Sequence, residues 1–366
     1  MKALKRLVGP LRPLRPGPIR LDARDGRQRV SLTVDGEELW YECGGEILQP
    51  VPEAFVCALL MISLQRHRRI GMNDAVDAAF LGNLEELLAV WEVWWGTPRL
   101  RPRAPLSAVV DGKDYRRKGK AVFFSGGVDS FYSLLREGEE FSHLIFVHGF
   151  DIPIEDGVRF GAFEPALHRV ADECGVTPVI VRTNLRSHHL TRGMDWERGH
   201  GAALASVAHL LSDQIGVAVI PSSYTYGNFH PWGTSWHTDH LFSSKRVRLQ
   251  HADASLWRAD KLAAIADHRL VQQHLRVCSE NRRATGNCGY CEKCLRTMIS
   301  LELAGRLQDF DAFSFDESLP HLIDMADPIS EHLHSVYRMF LSRNLRPEVS
   351  ASISRWLDRS RATPQG

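Results

Sequence analysis

Hydrophobic and polar positions change their period twice along this chain. Over Arg29–Cys43 (RVSLTVDGEELWYEC) apolar and polar residues alternate on both sides of Asp35-Gly36. An Asp-Gly break between alternating runs predicts a β-hairpin. Pro52–Gln65 and Phe80–Trp95 are apolar stretches of helical length. From Ala121 onward, short continuous apolar runs alternate with segments of helical period. Strands are predicted at Ala121–Phe124, His143–Phe150, Pro178–Leu185 and Gly216–Pro221. Helices are predicted at Gly157–Cys174 and His200–Leu211, and after Asp129, where Phe131, Leu134 and Leu135 share a face. Buried strands separated by helices imply parallel βαβ units in a doubly wound α/β sheet. Its ligand is expected beyond the carboxyl ends of the strands, where the loops after Phe124, Gly149, Arg182 and Ile220 converge.

The 366 residues divide accordingly. Residues 1–27 read as a basic flexible arm: its first twenty hold Lys2, Lys5, Arg6, Arg12, Arg15 and Arg20 and no acid. The functional alternative for the arm is a tail that touches RNA. Residues 28–97 read as a separate small α+β domain, in which Trp91, Trp94 and Trp95 stack into a core. Residues 98–119, rich in proline and basic side chains, read as a linker. Residues 120–306 form the α/β domain. Residues 307–366 read as a helical region with apolar positions at Ile329, Leu333, Val336 and Phe340, expected to pack back and carry no chemistry.

Composition narrows the partners. Lys and Arg number 45 against 44 Asp and Glu, so global charge does not favour nucleic acid. No apolar run reaches the ~20 residues that span a bilayer, and no apolar leader precedes the first elements. The expectation is a cytoplasmic protein with reduced thiols and no membrane partner. Of seven cysteines, four crowd into Cys278–Cys294 with metal rather than disulfide spacing.

Two stretches carry chemistry. In AVFFSGGVDSFYSLL (Ala121–Leu135) a strand breaks at two glycines and a helix begins without an obvious cap. Gly126 and Gly127 let a ligand approach the backbone. The helix start leaves N–H groups free, and together these make an anion site suited to phosphate. The second stretch, CSENRRATGNCGYCEKCLRTM, places Cys278, Cys288, Cys291 and Cys294 in a C-x9-C-x2-C-x2-C pattern. Four thiolates at this spacing suit a structural zinc site or an Fe–S cluster.

Ser125-Gly126-Gly127-Val128-Asp129-Ser130 resembles the loop of the PP-loop ATP pyrophosphatases. With the downstream C-x9-CGxCxxC, the stretch Ala121–Leu303 resembles the 7-cyano-7-deazaguanine synthases within that superfamily. The resemblance implies a HUP-type fold with a four-cysteine zinc knuckle and an ATP-dependent, AMP-forming ligase. Such an enzyme adenylates a carboxylate or amide, releases pyrophosphate and accepts nitrogen from ammonia. It implies that Ser125, Gly126, Gly127, Val128, Asp129 and Ser130 bind ATP and that Asp129 acts with Mg²⁺. It also implies that Asp129, Ser130 and Lys261 take part in catalysis and that Cys278, Cys288, Cys291 and Cys294 bind Zn²⁺.

The chain departs from that family in two places. An Arg-Asn pair expected after the fourth strand's proline is replaced by IPSSYTYGNFHPWGTSWHTDHLFSS, and the first 120 residues have no counterpart. Residues Tyr224–His240 of that insert hold Tyr224, Tyr226, Phe229, His230, Trp232, Trp236, His237 and His240, suited to stacking and proton transfer. His237, Asp239 and His240 are candidates for a second metal site. Lys245, Arg246, Arg258 and Lys261 are candidate phosphate cations, and Arg182, His188 and His189 are candidate cleft residues. No glutaminase signature is present, so ammonia would arrive free or from a partner. Two other readings stay open: a PP-loop tRNA thiolase, and a nucleotide-binding component of a larger complex. A homodimer or a protein complex are the candidate assemblies.

Overall fold

The computed structural model describes residues 12–45, 47–107, 115, 118–136, 140–313 and 315–362. Three antiparallel strands come first, β1 (Arg20–Arg24), β2 (Arg27–Val34) and β3 (Glu37–Gly44). Asp35 and Gly36 take φ of 49° and 89°, the left-handed pair that a two-residue hairpin turn needs. Helix α1 (Pro52–Gln65), strand β4 (Val76–Asp77), helix α2 (Ala78–Trp95) and strand β5 (Leu106–Ser107) follow. The α/β alternation then runs β6 (Gly119–Phe123), α3 (Val128–Leu135), β7 (His143–His148), α4 (Gly157–Glu173) and β8 (Thr177–Thr183). It ends with α5 (Trp196–Leu210), β9 (Ile215–Pro221) and β10 (Arg248–Ala252). Six helices complete the described chain: α6 (Arg258–Ile265), α7 (Arg269–His274), α8 (Glu292–Leu303), α9 (Leu319–Asp324), α10 (His334–Leu341) and α11 (Pro347–Ala362).

Eight strands make one mostly parallel sheet in the order β1-β2-β3-β8-β7-β6-β9-β10. Its parallel part is β8-β7-β6-β9-β10. Alternate residues of β6 and its continuation divide between two cores: Ala121 and Phe123 join one, Val122 and Phe124, the residue after the strand, the other. The first core holds residues of α1, α2 and α5, the second those of α3, α4, α6, α8 and the C-terminal helices.

The expected separate N-terminal domain is corrected by the sheet. Strand β3 pairs antiparallel with β8 through Tyr41–Thr183, Glu42–Arg182 and Cys43–Val181. An edge strand with unpaired N–H and C=O groups is covered in this way. Helix α1 buries every residue from Glu53 to Leu64, so it needs cover all round and packs against α5. Tyr41 and Ser206 share a buried hydroxyl hydrogen bond of 2.8 Å across that junction. The buried Glu53 carboxylate accepts from Asp77 N–H at 2.7 Å, tying α1 to the start of α2.

The arm and linker are also partly built in. Residues 1–11 lie outside the described residues. Leu14, however, is fully buried and exchanges backbone hydrogen bonds with Arg69 and Gly71, and β1 extends the sheet. Arg103 N–H donates to Ile70 O, and β5 pairs with β4. Of the expected linker, residues 108–114, 116 and 117 lie outside the described residues. Trp91 is fully buried, as expected of a core residue, while Trp94 and Trp95 are half-buried against it.

Candidate functional site

The glycine turn leaves the carboxyl end of β6. Gly126 has φ 78°, and a Cβ there would lie 2.9 Å from the Phe163 ring of α4. Both facts require glycine. Its carbonyl accepts from Arg276 N–H at 2.8 Å, which fixes the turn to the segment before the cysteine cluster. Gly127 precedes α3 with extended geometry, and no side chain caps the helix. The first-turn N–H groups are therefore left for another acceptor. Ser130, expected to contact phosphate, donates its hydroxyl to the Gly127 carbonyl at 2.9 Å and so braces the turn from inside.

Asp129 lies in the first turn of α3 and faces two cations supplied by α6. Lys261 Nζ is 3.3 Å from its Oδ1, and an Arg258 nitrogen is 3.6 Å from its Oδ2. Lys261 is 1% exposed and also donates to the Ser222 carbonyl at 2.6 Å, just past the end of β9. Burial alone would raise the Asp129 carboxyl. Arg258 and Lys261 outweigh it and hold the group below its ordinary value of 3.8. This carboxylate thus lies between Lys261 and Arg258.

Helix α8 adds residues that the sequence reading did not single out. Arg296 pairs with Glu292 at 3.3 Å one turn away, and buried Tyr337 of α10 donates to the same carboxylate at 2.9 Å. Lys293 has its pKa lowered, chiefly by burial, with Arg258 and Arg296 adding repulsion and Asp151 opposing. The Nε atoms of Arg258 and Arg276 are buried without a hydrogen-bond partner, while that of Arg296 has the Glu292 carboxylate 3.3 Å away. Buried orphan donors are costly, and two such guanidinium N–H groups beside an uncapped glycine turn suit a polyanion.

The four expected ligand cysteines come together and are buried, each at most 2% exposed. Their sulfurs all lie within 4.8 Å of one another, with Cys288–Cys294 at 3.9 Å and Cys291–Cys278 at 4.0 Å. A tetrahedron with Zn–S bonds of about 2.3 Å has S···S edges of about 3.8 Å. The set therefore fits a single ion such as zinc. An Fe–S cluster sets several irons between its cysteines and needs a wider cage. Gly289 has φ 83°, and a Cβ there would meet the Phe315 ring at 2.6 Å, so the knuckle turn also requires glycine. Cys291 stands at the start of α8 and Cys294 in its first turn. The knuckle thus sets the phase of the helix that carries Glu292, Lys293 and Arg296.

The aromatic insert packs at the carboxyl ends of β9 and β10. Tyr224, His230 and Trp232 have mutual ring distances of 5.6–5.9 Å. His332, just before α10, stacks on His230 at 4.6 Å. The C-terminal region, expected to carry no chemistry, thus brings His332 and Tyr337 close to α8, since α9 packs on that helix and Tyr337 bonds its Glu292. On the other flank Trp94 meets Phe229 and His237, while Tyr226 and Phe229 stay exposed.

The remaining candidates lie elsewhere. His237, Asp239 and His240 do not form a ligand set among the described residues. Asp239 is fully buried, pairs with His251 at 2.7 Å and accepts from Ser235 N–H. Lys245 and Arg246 are tied through their backbone N–H groups to Asp77 and Ser244. Glu37, His188 and His189 cluster at ligand spacing. His188, however, already uses one ring nitrogen on Leu190 N–H and the other on the Glu37 carbonyl, which leaves it no free donor atom. No helix among the described residues is long and apolar enough to cross a membrane. No family model, curated protein or solved structure matches the chain.

Proposed function

We propose that this chain is an ATP-dependent, AMP-forming enzyme of the PP-loop type that adenylates a carboxylate or amide for attack by nitrogen. The observation that carries the reading is the excess of cationic side chains gathered at the glycine turn. Arg258 and Arg276 each bury an Nε without a hydrogen-bond partner, Arg296 shares Glu292 with Tyr337, and Lys261 and Asp129 fix one side of the group. This arrangement fits a triphosphate, whose charge exceeds what Asp129 and Glu292 already balance.

Bound ATP would supply the adenylyl group and a pyrophosphate leaving group. The chain's own residues then have distinct work. The first-turn N–H groups of α3 and the arginines hold phosphoryl oxygens and take up charge as pyrophosphate separates. Asp129 keeps Lys261 aimed. Tyr224, His230, Trp232 and His332 wall the side where an acceptor would lie and exclude water from it. The knuckle residues Cys278, Cys288, Cys291 and Cys294 would hold one Zn²⁺, closed to further ligands and structural in role.

The cysteines count against the thiolase reading. Four gather in the knuckle, Cys43 and Cys57 are buried, Cys174 is half-buried, and burial raises the thiol pKa of all three. A sulfur carrier needs an accessible thiolate. The test follows α-phosphate-labelled ATP with Mg²⁺ and a panel of carboxylates, in the parent and in Asp129→Asn. Labelled AMP formed by the parent alone supports the proposal; labelled ADP overturns it.

A further inference from the structure

A cavity lies along β8, lined by residues other than those of the glycine turn. Strand β3 pairs with β8 only from Val181 to Thr183 and leaves at Gly44 and Gly45, the latter with φ 75°. From Thr177 to Ile180, β8 has a partner in β7 alone, so half of its backbone groups in that stretch face a notch. The notch opens into a cavity of about 350 Å³, within the range of small-molecule sites.

The lining is specific in kind. Ile47, Phe160 and Ile180 give it an apolar floor, and Arg27 and Arg182 bring two guanidiniums against one carboxylate, Glu164. The Nε of Arg182 is buried and has no hydrogen-bond partner. Its cross-strand acid, Glu42, is instead paired with Arg29 at 2.6 Å. Cys43 also faces the cavity, but burial pushes its thiol up to about 11, so it acts there as a small apolar group.

We propose that this cavity is a binding site for a small organic anion with an apolar or aromatic body, a carboxylate or phosphate ester, distinct from the glycine-turn site. The anionic head would lie against the guanidiniums of Arg182 and Arg27, charge-assisted contacts that a neutral or cationic head cannot make. The body would lie on Phe160, Ile47 and Ile180. Phe160 is one helical turn from Phe163, the residue pressed against Gly126, so an occupant touches the same helix that braces the glycine turn. The site itself does not depend on what that turn binds.

The test uses the full chain and four probes of one shape: benzoate, phenyl phosphate, benzyl alcohol and benzylammonium. Ligand-observed NMR and calorimetry would be run on the parent, Arg182→Gln and Arg27→Gln, with metal content and thermal unfolding measured on each to show that the variants fold. The two anions should bind the parent saturably, and the alcohol and the ammonium roughly tenfold more weakly or not at all. Each arginine variant should weaken the anions by about tenfold. Cross-peaks from the probe ring to Phe160 would place it. The proposal is overturned if no anion saturates the parent at millimolar concentration, if the ammonium binds as well as benzoate, or if both folded variants bind anions like the parent.

Discussion

Replacing Lys261 by Met separates two roles that the buried ammonium could have. At 3.3 Å from Asp129 and an effective dielectric of about 20, the gross attraction of the pair is about 5 kcal/mol. Most of that offsets the cost of burying the ammonium, and methionine of similar length removes the attraction and the cost together. What remains is the Ser222 carbonyl without its 2.6 Å donor and Asp129 with Arg258 as its only cation within 4 Å among the described residues, a loss of about 1–3 kcal/mol. If Lys261 contacts a phosphate, the same change removes a charge-assisted contact and weakens the polyanion roughly 10- to 150-fold. Calorimetric titration of ATP with Mg²⁺, and of tripolyphosphate, into both proteins measures the affinity; urea unfolding measures the stability. A folded Lys261→Met protein that binds both ligands within about threefold of the parent would refute a phosphate-binding role and leave Lys261 a structural tie.

Four further outcomes are expected. Chelation, or Cys294→Ser, should remove one bound ion per chain and with it most of the ATP affinity; metal analysis and calorimetry on the same sample check both. Gly126→Ala should destabilise by about 1–3 kcal/mol, from strain at positive φ and the clash with Phe163, as read by urea unfolding. His209, pushed down to about 4 by burial, makes stability fall with pH. Its unfolded form gains a proton near 6.5 while the folded form resists until about 4, so roughly 3 kcal/mol is lost across that window. In His209→Gln this slope should flatten. Asp129 acts lower: its depressed carboxyl stabilises the fold above its ordinary 3.8 and stops doing so as pH falls through its folded value, a loss absent from Asp129→Asn.

Where periodicity and packing agreed, the sequence was readable. The hairpin about Asp35-Gly36, helices α1 and α2 and the strands β6 to β9 follow their apolar period to within a few residues. Strand β1 was missed because RLDAR alternates over only five residues within a basic stretch, and its apolar positions, Leu21 and Ala23, are exposed at the sheet edge. Strand β10 was missed because RLQHA holds only five mixed residues beside a long insert. The antiparallel union of β3 with β8 is a long-range pairing, and no local pattern announces it. Within the site, the glycine turn, Asp129, Arg258, Lys261 and the cysteines were legible as motifs or short-range pairs. Arg276, Lys293 and Arg296 were not, since each is an ordinary basic residue until the knuckle fixes its direction. The signal available was positional: Arg276 lies two residues before Cys278, and Lys293 and Arg296 flank Cys294 at helical spacing.

That position gives the metal a reason to exist. Arg258, Lys261, Arg276, Lys293 and Arg296 bring five cations to a region where the near acids are Asp129, Glu292 and Asp151. Left to themselves, the segments that carry them would separate, because like charges at low dielectric repel and each buried guanidinium is costly. The glycine turn is tied to Arg276 by one backbone hydrogen bond, and α8 starts at the knuckle itself. A tetrathiolate ion contributes folding energy of about 10–16 kcal/mol in isolated knuckle peptides, enough to outweigh that repulsion. A bound polyanion would relieve the same repulsion, so metal and anion should stabilise one another although neither touches the other. The core shared by α1, α2 and α5 lies across the sheet from both. Loss of the metal should therefore dismantle the cationic site before the sheet unfolds, with anion affinity falling at chelator concentrations that leave the far-ultraviolet circular dichroism unchanged.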